Sequence, residues 1–564
     1  MKYLISPAFF LVLVLAVTAQ DKFNPYQYSI SKHFTGANGA VVAAHPLASQ
    51  VGVMILRKGG NAVDAAIATQ LALAVVYPGA GNIGGGGFMV IHLSGGKDLT
   101  LDFREKAPLK GSRDMYLDAN GNADLNKSQH GHLAAGVPGA VAGIFKAMPY
   151  ARLPFKQLIQ PAIDLAAKGF VITGAEAADL NDDRELFVKN NTRPTAFVKD
   201  IPWKAGDTLV QKELAETLIR IRDQGKKGFY EGKTARLIVA EMDRGKGMIS
   251  LEDLKKYDAV WRDASVFEYK GHRVVTMPLP SSGGVLLPMM MKMTARFPID
   301  SFGFHTPKSV QLMTEIERLA YADRAKFLGD PDFYAVPVKT LLSDDYITSR
   351  LRLYQPDTAG DSRRIASGDV TKESEETTHL SVADKEGNAV SLTTTLNGGY
   401  GSHTVVGGAG FLLNNEMDDF SVKPGVPNMY GAVGGEANAI APGKRMLSSM
   451  TPVIVLRSGK PVYVTGTPGG TTITTSLYQT LLNLIDFKLS ALDAVNQPKF
   501  HMQWLPDTLY VEKEFPEALK ATMERMGYKV NSRGHIGRTE LIVIDNGKIE
   551  AVGDFRGDDT AAGY

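Results

Sequence analysis

Cysteine is absent from all 564 residues. That one absence excludes disulfides, thiolate zinc sites, iron–sulfur ligation and a cysteine nucleophile. A surplus of either charge is missing too: Lys and Arg number 62, Asp and Glu 60, for a formal charge of +2. With no basic excess to displace counter-ions from phosphates, nucleic acid is not an expected partner. Histidines are few and scattered, and the one close pair, His130-Gly131-His132, lacks a third ligand at a familiar metal spacing. What is present is a hydrophobic share of 44% beside 22% charged residues, enough for a sizeable buried core. The 57 glycines exceed the usual share of roughly 7%, so many turns or close backbone approaches are expected. The length allows three or four ordinary domains, or a single large α/β layered unit.

The first twenty residues read as an export signal. Lys2 is followed by the apolar run at positions 9–17, and Val17 and Ala19 are small enough for cleavage after Ala19. The run is shorter than the ~20 residues that cross a bilayer, and no later segment reaches that length without charges. The mature protein is therefore expected to be periplasmic or secreted, with no membrane span.

Helical periodicity occurs at 60–73, where Asn61 is a start signal, and at 153–168, 212–224, 233–242, 251–257 and 307–328. The run Gly84-Gly85-Gly86-Gly87 enters a strand rather than a helix and has no Gly-Lys-Ser/Thr after it. It reads as a tight crossing of backbones rather than a phosphate cradle. Pro280-Ser281-Ser282-Gly283-Gly284 reads as a turn, because its serines lack the Gly-x-Ser-x-Gly pattern of a hydrolase elbow. Residues 354–376 are rich in Asp, Ser, Lys, Arg and Glu and are expected to be exposed and mobile. From Thr377 onward short β-type runs and glycine loops take over, which places a domain or processing boundary near 376.

At that boundary Thr377-Thr378-His379 opens a strand. A threonine that becomes a chain terminus carries its own base, an α-amine of ordinary pKa about 7.7–8.0. The next twenty residues predict a hairpin. Leu380 and Val382 alternate with His379 and Ser381, and Val390 and Leu392 alternate with Ser391 and Thr393. The intervening Lys385-Glu386-Gly387 suits a three-residue loop with glycine in the left-handed conformation. That register sets Val382 against Val390, Leu380 against Leu392, and Thr377 against Thr395. One face is then core, and the other is a row of hydroxyls ending at the candidate nucleophile.

Several further motifs accompany the hairpin: Leu396-Asn397, Asn414-Asn415-Glu416-Met417-Asp418-Asp419, Leu447-Ser448-Ser449-Met450-Thr451-Pro452 and Thr467-Pro468-Gly469-Gly470. Upstream are Asp102-Phe103-Arg104-Glu105 and Gly136-Val137-Pro138-Gly139, and the chain ends Thr560-Ala561-Ala562-Gly563-Tyr564. Together these resemble the gamma-glutamyltransferase (gamma-glutamyltranspeptidase) family over nearly the whole mature chain. The resemblance implies an N-terminal-nucleophile hydrolase with a four-layer αββα sandwich, made as one precursor that cuts itself at Glu376–Thr377. Its parts would be a signal peptide at 1–19, a large subunit at 20–376 and a small subunit at 377–564, the two subunits forming a heterodimer.

By the same resemblance, Thr377 is the nucleophile of both self-cleavage and turnover, and Thr395 hydrogen-bonds to it. Gly469 and Gly470 offer N–H groups to the oxyanion. Arg104, Ser448 and Ser449 hold a substrate α-carboxylate, while Asn397, Glu416 and Asp419 hold its α-ammonium. Residues 424–431 form a lid carrying Tyr430, which read alone is equally a surface aromatic. The implied reaction cleaves the γ-glutamyl amide of glutathione and related donors and passes the acyl group to water, amino acids or dipeptides. No metal or organic cofactor is implied. Two alternatives remain at this level: an acylase for dicarboxylic β-lactam side chains, and an inactive exported binding protein for glutamate-like ligands.

Overall fold

A computed structural model describes residues 23–365 and 377–564. The export-signal segment and Glu376 lie outside the described residues. Two seven-stranded antiparallel sheets stack face to face and helices cover both outer sides. The first sheet runs Thr560–Gly563, Gly39–Ala43, Thr378–Asp384, Ala389–Thr395, Gly86–Leu93, Lys97–Asp102, Val260–Arg262. The second runs His33–Gly36, Lys548–Val552, Glu540–Asp545, Lys460–Gly466, Val453–Arg457, His272–Thr276, Ser265–Tyr269. The fold is the four-layer αββα sandwich. Segments before and after the 366–376 gap supply strands to both sheets, so they interleave rather than form separate domains.

Each layer follows from its residues. The helix Ala62–Val76 is buried along its whole length and begins in a capping box between Asn61 and Asp64. It packs with Pro46–Arg57 and Phe155–Lys168 on the first sheet, where Leu380, Val382, Val390 and Leu392 point outward into them. Each such side chain contributes about 1.5–3 kcal/mol of apolar burial. Gly283–Thr294, Pro307–Phe327 and Thr472–Ile485 cover the second sheet. Ala40, Val42, Val90, Val275, Ile454, Val464 and Ile542 fill the layer between the sheets.

The hairpin register is the expected one: Val382 faces Val390, Leu380 faces Leu392, and Thr378 faces Thr394. Gly387 adopts φ +89° in the three-residue loop, a conformation that costs a residue with a Cβ. The hydroxyl face is not open, however. It lies against the second sheet, where Ser391 Oγ donates to Thr465 O at 2.9 Å and accepts from Val453 N at 3.0 Å. Ser381 Oγ donates to Glu540 O at 3.3 Å. Serines on an inner face thus tie two sheets together, with each buried hydroxyl partnered.

The glycine run is the tight crossing expected. A Cβ on Gly85 would sit 2.1 Å from Thr395 O, and one on Gly87 2.3 Å from Thr393 O. Of the stretch 354–376, residues 355–358, Arg363 and Arg364 are exposed as expected, residues 366–376 lie outside the described residues, and the described part is also tied to the body. Gln311 Nε2 donates to the carbonyls of Gln355 and Thr358, Ala359 N donates to Met526 O, and Ser362 is fully buried against Arg318 and Asp507. The polar residues of this stretch therefore serve both solvent and hydrogen bonds to the body. Among the described residues, no helix is long and apolar enough to cross a membrane, and no group of three or more His, Asp or Glu is placed to hold a metal. His132 instead pairs with Glu241 at 2.9 Å.

Candidate active site

The strand Ala389–Thr395 ends at a pocket of about 310 Å³. Its walls include Thr377, Thr395, Asn397, Arg104, Asp419, Tyr430, Ser448, Ser449 and Gly470. The hairpin brings Thr377 and Thr395 to the same end of neighbouring strands, one step beyond the Thr378–Thr394 pair. Thr395 Oγ1 accepts from Asn397 N at 2.8 Å, which turns the chain sharply, and Asn397 takes φ +79°. Next along the strand from Thr377 and Thr378, His379 bridges Thr393 Oγ1 at 2.8 Å and Ser381 Oγ at 3.1 Å. Full burial pushes its pKa down to about 3, so it is a neutral support for the strand pair.

Gly469 and Gly470 precede the helix Thr472–Ile485, at φ +132° and +54°. Thr472 N and Oγ1 both donate to Gly469 O, at 2.9 and 2.7 Å. Among the described residues, neither glycine N–H donates to a protein acceptor. Free N–H groups at the positive end of a helix are suited to a developing oxyanion. Gly470 lines the pocket and Gly469 lies one residue behind it.

The charged wall is built around Arg104, which follows the strand Lys97–Asp102 and is 1% exposed. Its guanidinium pairs with Asp419 and Glu416 and lies 3.5 Å from Glu105. Burial opposes its charge, but Glu416, Asp419 and Glu105 outweigh that and raise its pKa. Burial also raises Asp419 above its ordinary value and Glu416 well above it, against the pull of Arg104, and pushes Glu105 up to about 8. Glu416 sits fully buried beside Arg104, behind the residues that line the pocket.

Tyr430 is buried, not a surface aromatic. Its hydroxyl donates to Asn397 O, and its carbonyl accepts from Gln503 Nε2 at 3.3 Å. The preceding loop is fastened by Asn428 Nδ2, which donates to Asp419 Oδ1 at 3.0 Å, and by Met429 N, which donates to Asp418 Oδ2 at 2.8 Å. Ser448 and Ser449 are held by the 280–284 turn: Ser448 N donates to Pro280 O, Ser282 N donates to Ser448 O, and Ser281 Oγ donates to Met450 O.

Four pocket residues lay outside every motif read from the sequence: Arg324, Ala432, Thr471 and Ile473. Arg324 had a positional signal. Glu317, Tyr321 and Arg324 share one face of the helix Pro307–Phe327, at apolar spacing, and all three are buried. Tyr321 donates to Thr471 O, and Thr471 Oγ1 donates to Gln503 Oε1 at 2.6 Å, so this face braces the glycine turn.

The chain is similar to known proteins over most of its length. Residues 48–564 match the gamma-glutamyltranspeptidase family. The glutathione hydrolase proenzyme of Escherichia coli (strain K12) is 46% identical over 552 residues, 97% of this chain and 94% of that one. The crystal structure of gamma-glutamyltranspeptidase from Helicobacter pylori superposes with a TM-score of 0.57 at 42% identity, covering 60% of this chain and 97% of that one. Cephalosporin acylase from Bacillus halodurans superposes with a TM-score of 0.82 at 27% identity, covering 96% and 99%.

Proposed function

The chain belongs to the gamma-glutamyltranspeptidase family, and we propose that Thr377 is the nucleophile with which it cleaves and transfers γ-glutamyl groups. The activity is γ-glutamyl hydrolysis and transfer from a self-processed precursor, with glutathione as the expected donor. The observation that carries the assignment of Thr377 is the strand register, which brings this residue beside Thr395 at the rim of a pocket that also contains Gly470.

In this reading the free α-amine of Thr377 takes the proton of its own Oγ as that oxygen attacks the γ-carbonyl. The tetrahedral oxyanion is met by the N–H groups of Gly469 and Gly470. Collapse breaks the C–N bond, the leaving amine takes the proton, and a γ-glutamyl ester on Thr377 remains. Water, or the amine of an amino acid or dipeptide, attacks the ester, gives its proton back through the α-amine to Thr377 Oγ, and releases the product. Arg104, Ser448 and Ser449 hold the α-carboxylate, Asn397 and Asp419 face the α-ammonium, and the loop bearing Tyr430 covers both. Two subunits, 20–376 and 377–564, remain together after self-cleavage because their strands share both sheets. Export through residues 1–19 completes the proposal.

The test is a gel with N-terminal sequencing and a chromogenic γ-glutamyl anilide. Mature protein should show pieces of about 39 and 20 kDa, the smaller starting at Thr377. Thr377→Ala should give one band and no turnover; a normally processed, active alanine variant would sink the assignment.

A further inference from the structure

Gln503 follows the short strand Phe500–His501 and is buried. A glutamine amide has two N–H donors and one oxygen with two lone pairs, and here all four positions are used. Nε2 donates to Tyr430 O at 3.3 Å and to Leu505 O at 3.2 Å. Oε1 accepts from Thr471 Oγ1 at 2.6 Å and lies 2.9 Å from His501 Nε2. Carbonyls only accept, so a reversed amide would set its oxygen against those of Tyr430 and Leu505. Two carbonyls therefore fix which way the amide points. Full burial pushes the pKa of His501 down to about 3, so its ring is neutral and carries one N–H. An amide oxygen cannot donate, which puts that hydrogen on Nε2 and leaves Nδ1 to accept from Thr475 Oγ1 at 2.8 Å.

One planar amide is thus bonded on one edge to the loop that covers the pocket and on the other to the residue after Gly470. Those two partners come from distant parts of the chain, and Tyr430 itself packs on Gly470. Moving either partner alone would leave half of a buried amide unsatisfied. We propose that Gln503 is a positioning residue that locks the Tyr430 loop and the Gly469–Gly470 turn in one register, so that the oxyanion N–H groups are aligned when the loop is closed over the donor. It acts through Tyr430 and Thr471 rather than by touching the donor. The inference rests on the γ-glutamyl reading above and adds to it a link between covering the donor and stabilising its transition state.

The experiment follows turnover of γ-glutamyl p-nitroanilide and the rate at which chymotrypsin cuts the folded protein after Tyr430. Processing into two pieces and a cooperative thermal transition establish folding. Gln503→Leu should lose about 30-fold or more in kcat and be cut after Tyr430 at least about tenfold faster than wild type. Thr471→Val breaks only the turn side of the clamp. It should lower kcat without faster cutting, and adding it to Gln503→Leu should cost little more. Gln503→Glu supplies the conservative rescue. At pH 5.5 a buried carboxyl facing two carbonyls is protonated, and its O–H can donate as the amide does. Relative to wild type at that pH, this variant should recover most of the kcat that Gln503→Leu loses. Unchanged cutting in Gln503→Leu, a glutamate variant as impaired as the leucine one, or additive losses with Thr471→Val would overturn the proposal. Where Gln503→Leu does not fold, Gln503→Met keeps the volume without the amide and reads the same way. If wild type leaves the anilide untouched, the γ-glutamyl reading fails by itself, and cutting after Tyr430 still decides whether Gln503 fastens the loop.

Discussion

The ring of Tyr430 lies on Gly470 so closely that a Cβ at position 470 would be 2.5 Å from Tyr430 Cδ1. The loop bearing Tyr430 and the Gly469–Gly470 turn are therefore in direct contact. Gly470→Ala adds that Cβ at φ +54°, where a Cβ also strains the backbone. Either the tyrosine ring or the N–H must move. We expect kcat on a γ-glutamyl anilide to fall about 100-fold or more with KM changed little, because the oxyanion contact matters only in the transition state. Steady-state kinetics check this, and an unchanged kcat would remove Gly470 from the oxyanion role.

Thr395→Val tests the pairing of the two threonines. The substitution keeps the strand's shape but deletes the acceptor of the buried Asn397 N–H. Leaving that donor unsatisfied should cost about 1–3 kcal/mol of stability, seen as a lower denaturation midpoint. Loss of the hydroxyl beside Thr377 should slow both self-cleavage and turnover by on the order of 100-fold. A valine variant with undiminished rates would separate Thr395 from the chemistry.

The hairpin was readable because period-two alternation and a three-residue loop ending in glycine leave one pairing that buries Leu380, Val382, Val390 and Leu392 together. Asn61 likewise announced the start of a buried helix, and the structure adds its capping box with Asp64. Alternation gives only which residues share a face, not what covers it, so the second sheet that meets the serine face left no sign in the hairpin. Long-range polar contacts left no local trace. Arg104 and Glu416 are 312 positions apart, and no periodicity indicates that one neutralises the other. Arg324 looked like one more charge on a long helix because the surface that buries it comes from the 280–284 turn and Ser449.

Glu416 should tolerate loss of its charge but not of its shape. Glutamine can still accept from Arg104, so Glu416→Gln is expected to keep kcat/KM within about threefold. Glu416→Ala removes one member of a buried pair and leaves a cavity beside Arg104. It should cost about 3–5 kcal/mol of stability, measured by denaturant unfolding. A glutamine variant that loses γ-glutamyl binding outright would return Glu416 to the ammonium site.

His379 links stability to acid. Its folded-state pKa is lowered to about 3 by full burial, against an ordinary value of about 6.5. Between those values the unfolded chain binds a proton at this residue that the folded chain does not. The favourable contribution of neutral His379 is therefore whole above about pH 6.5 and falls as the pH drops toward 3, by up to about 1.4 kcal/mol per pH unit. His379→Gln can still bond the neighbouring Thr393 and Ser381 hydroxyls but does not titrate. Its unfolding free energy should fall less steeply than that of wild type between pH 6.5 and 4, whatever its value at pH 8. The kcat of wild type should show no titration from His379 above pH 5, since the ring stays neutral there. Parallel stability curves for wild type and variant would mean that His379 is protonated in the fold, and that the strand pair supporting Thr377 carries a charge.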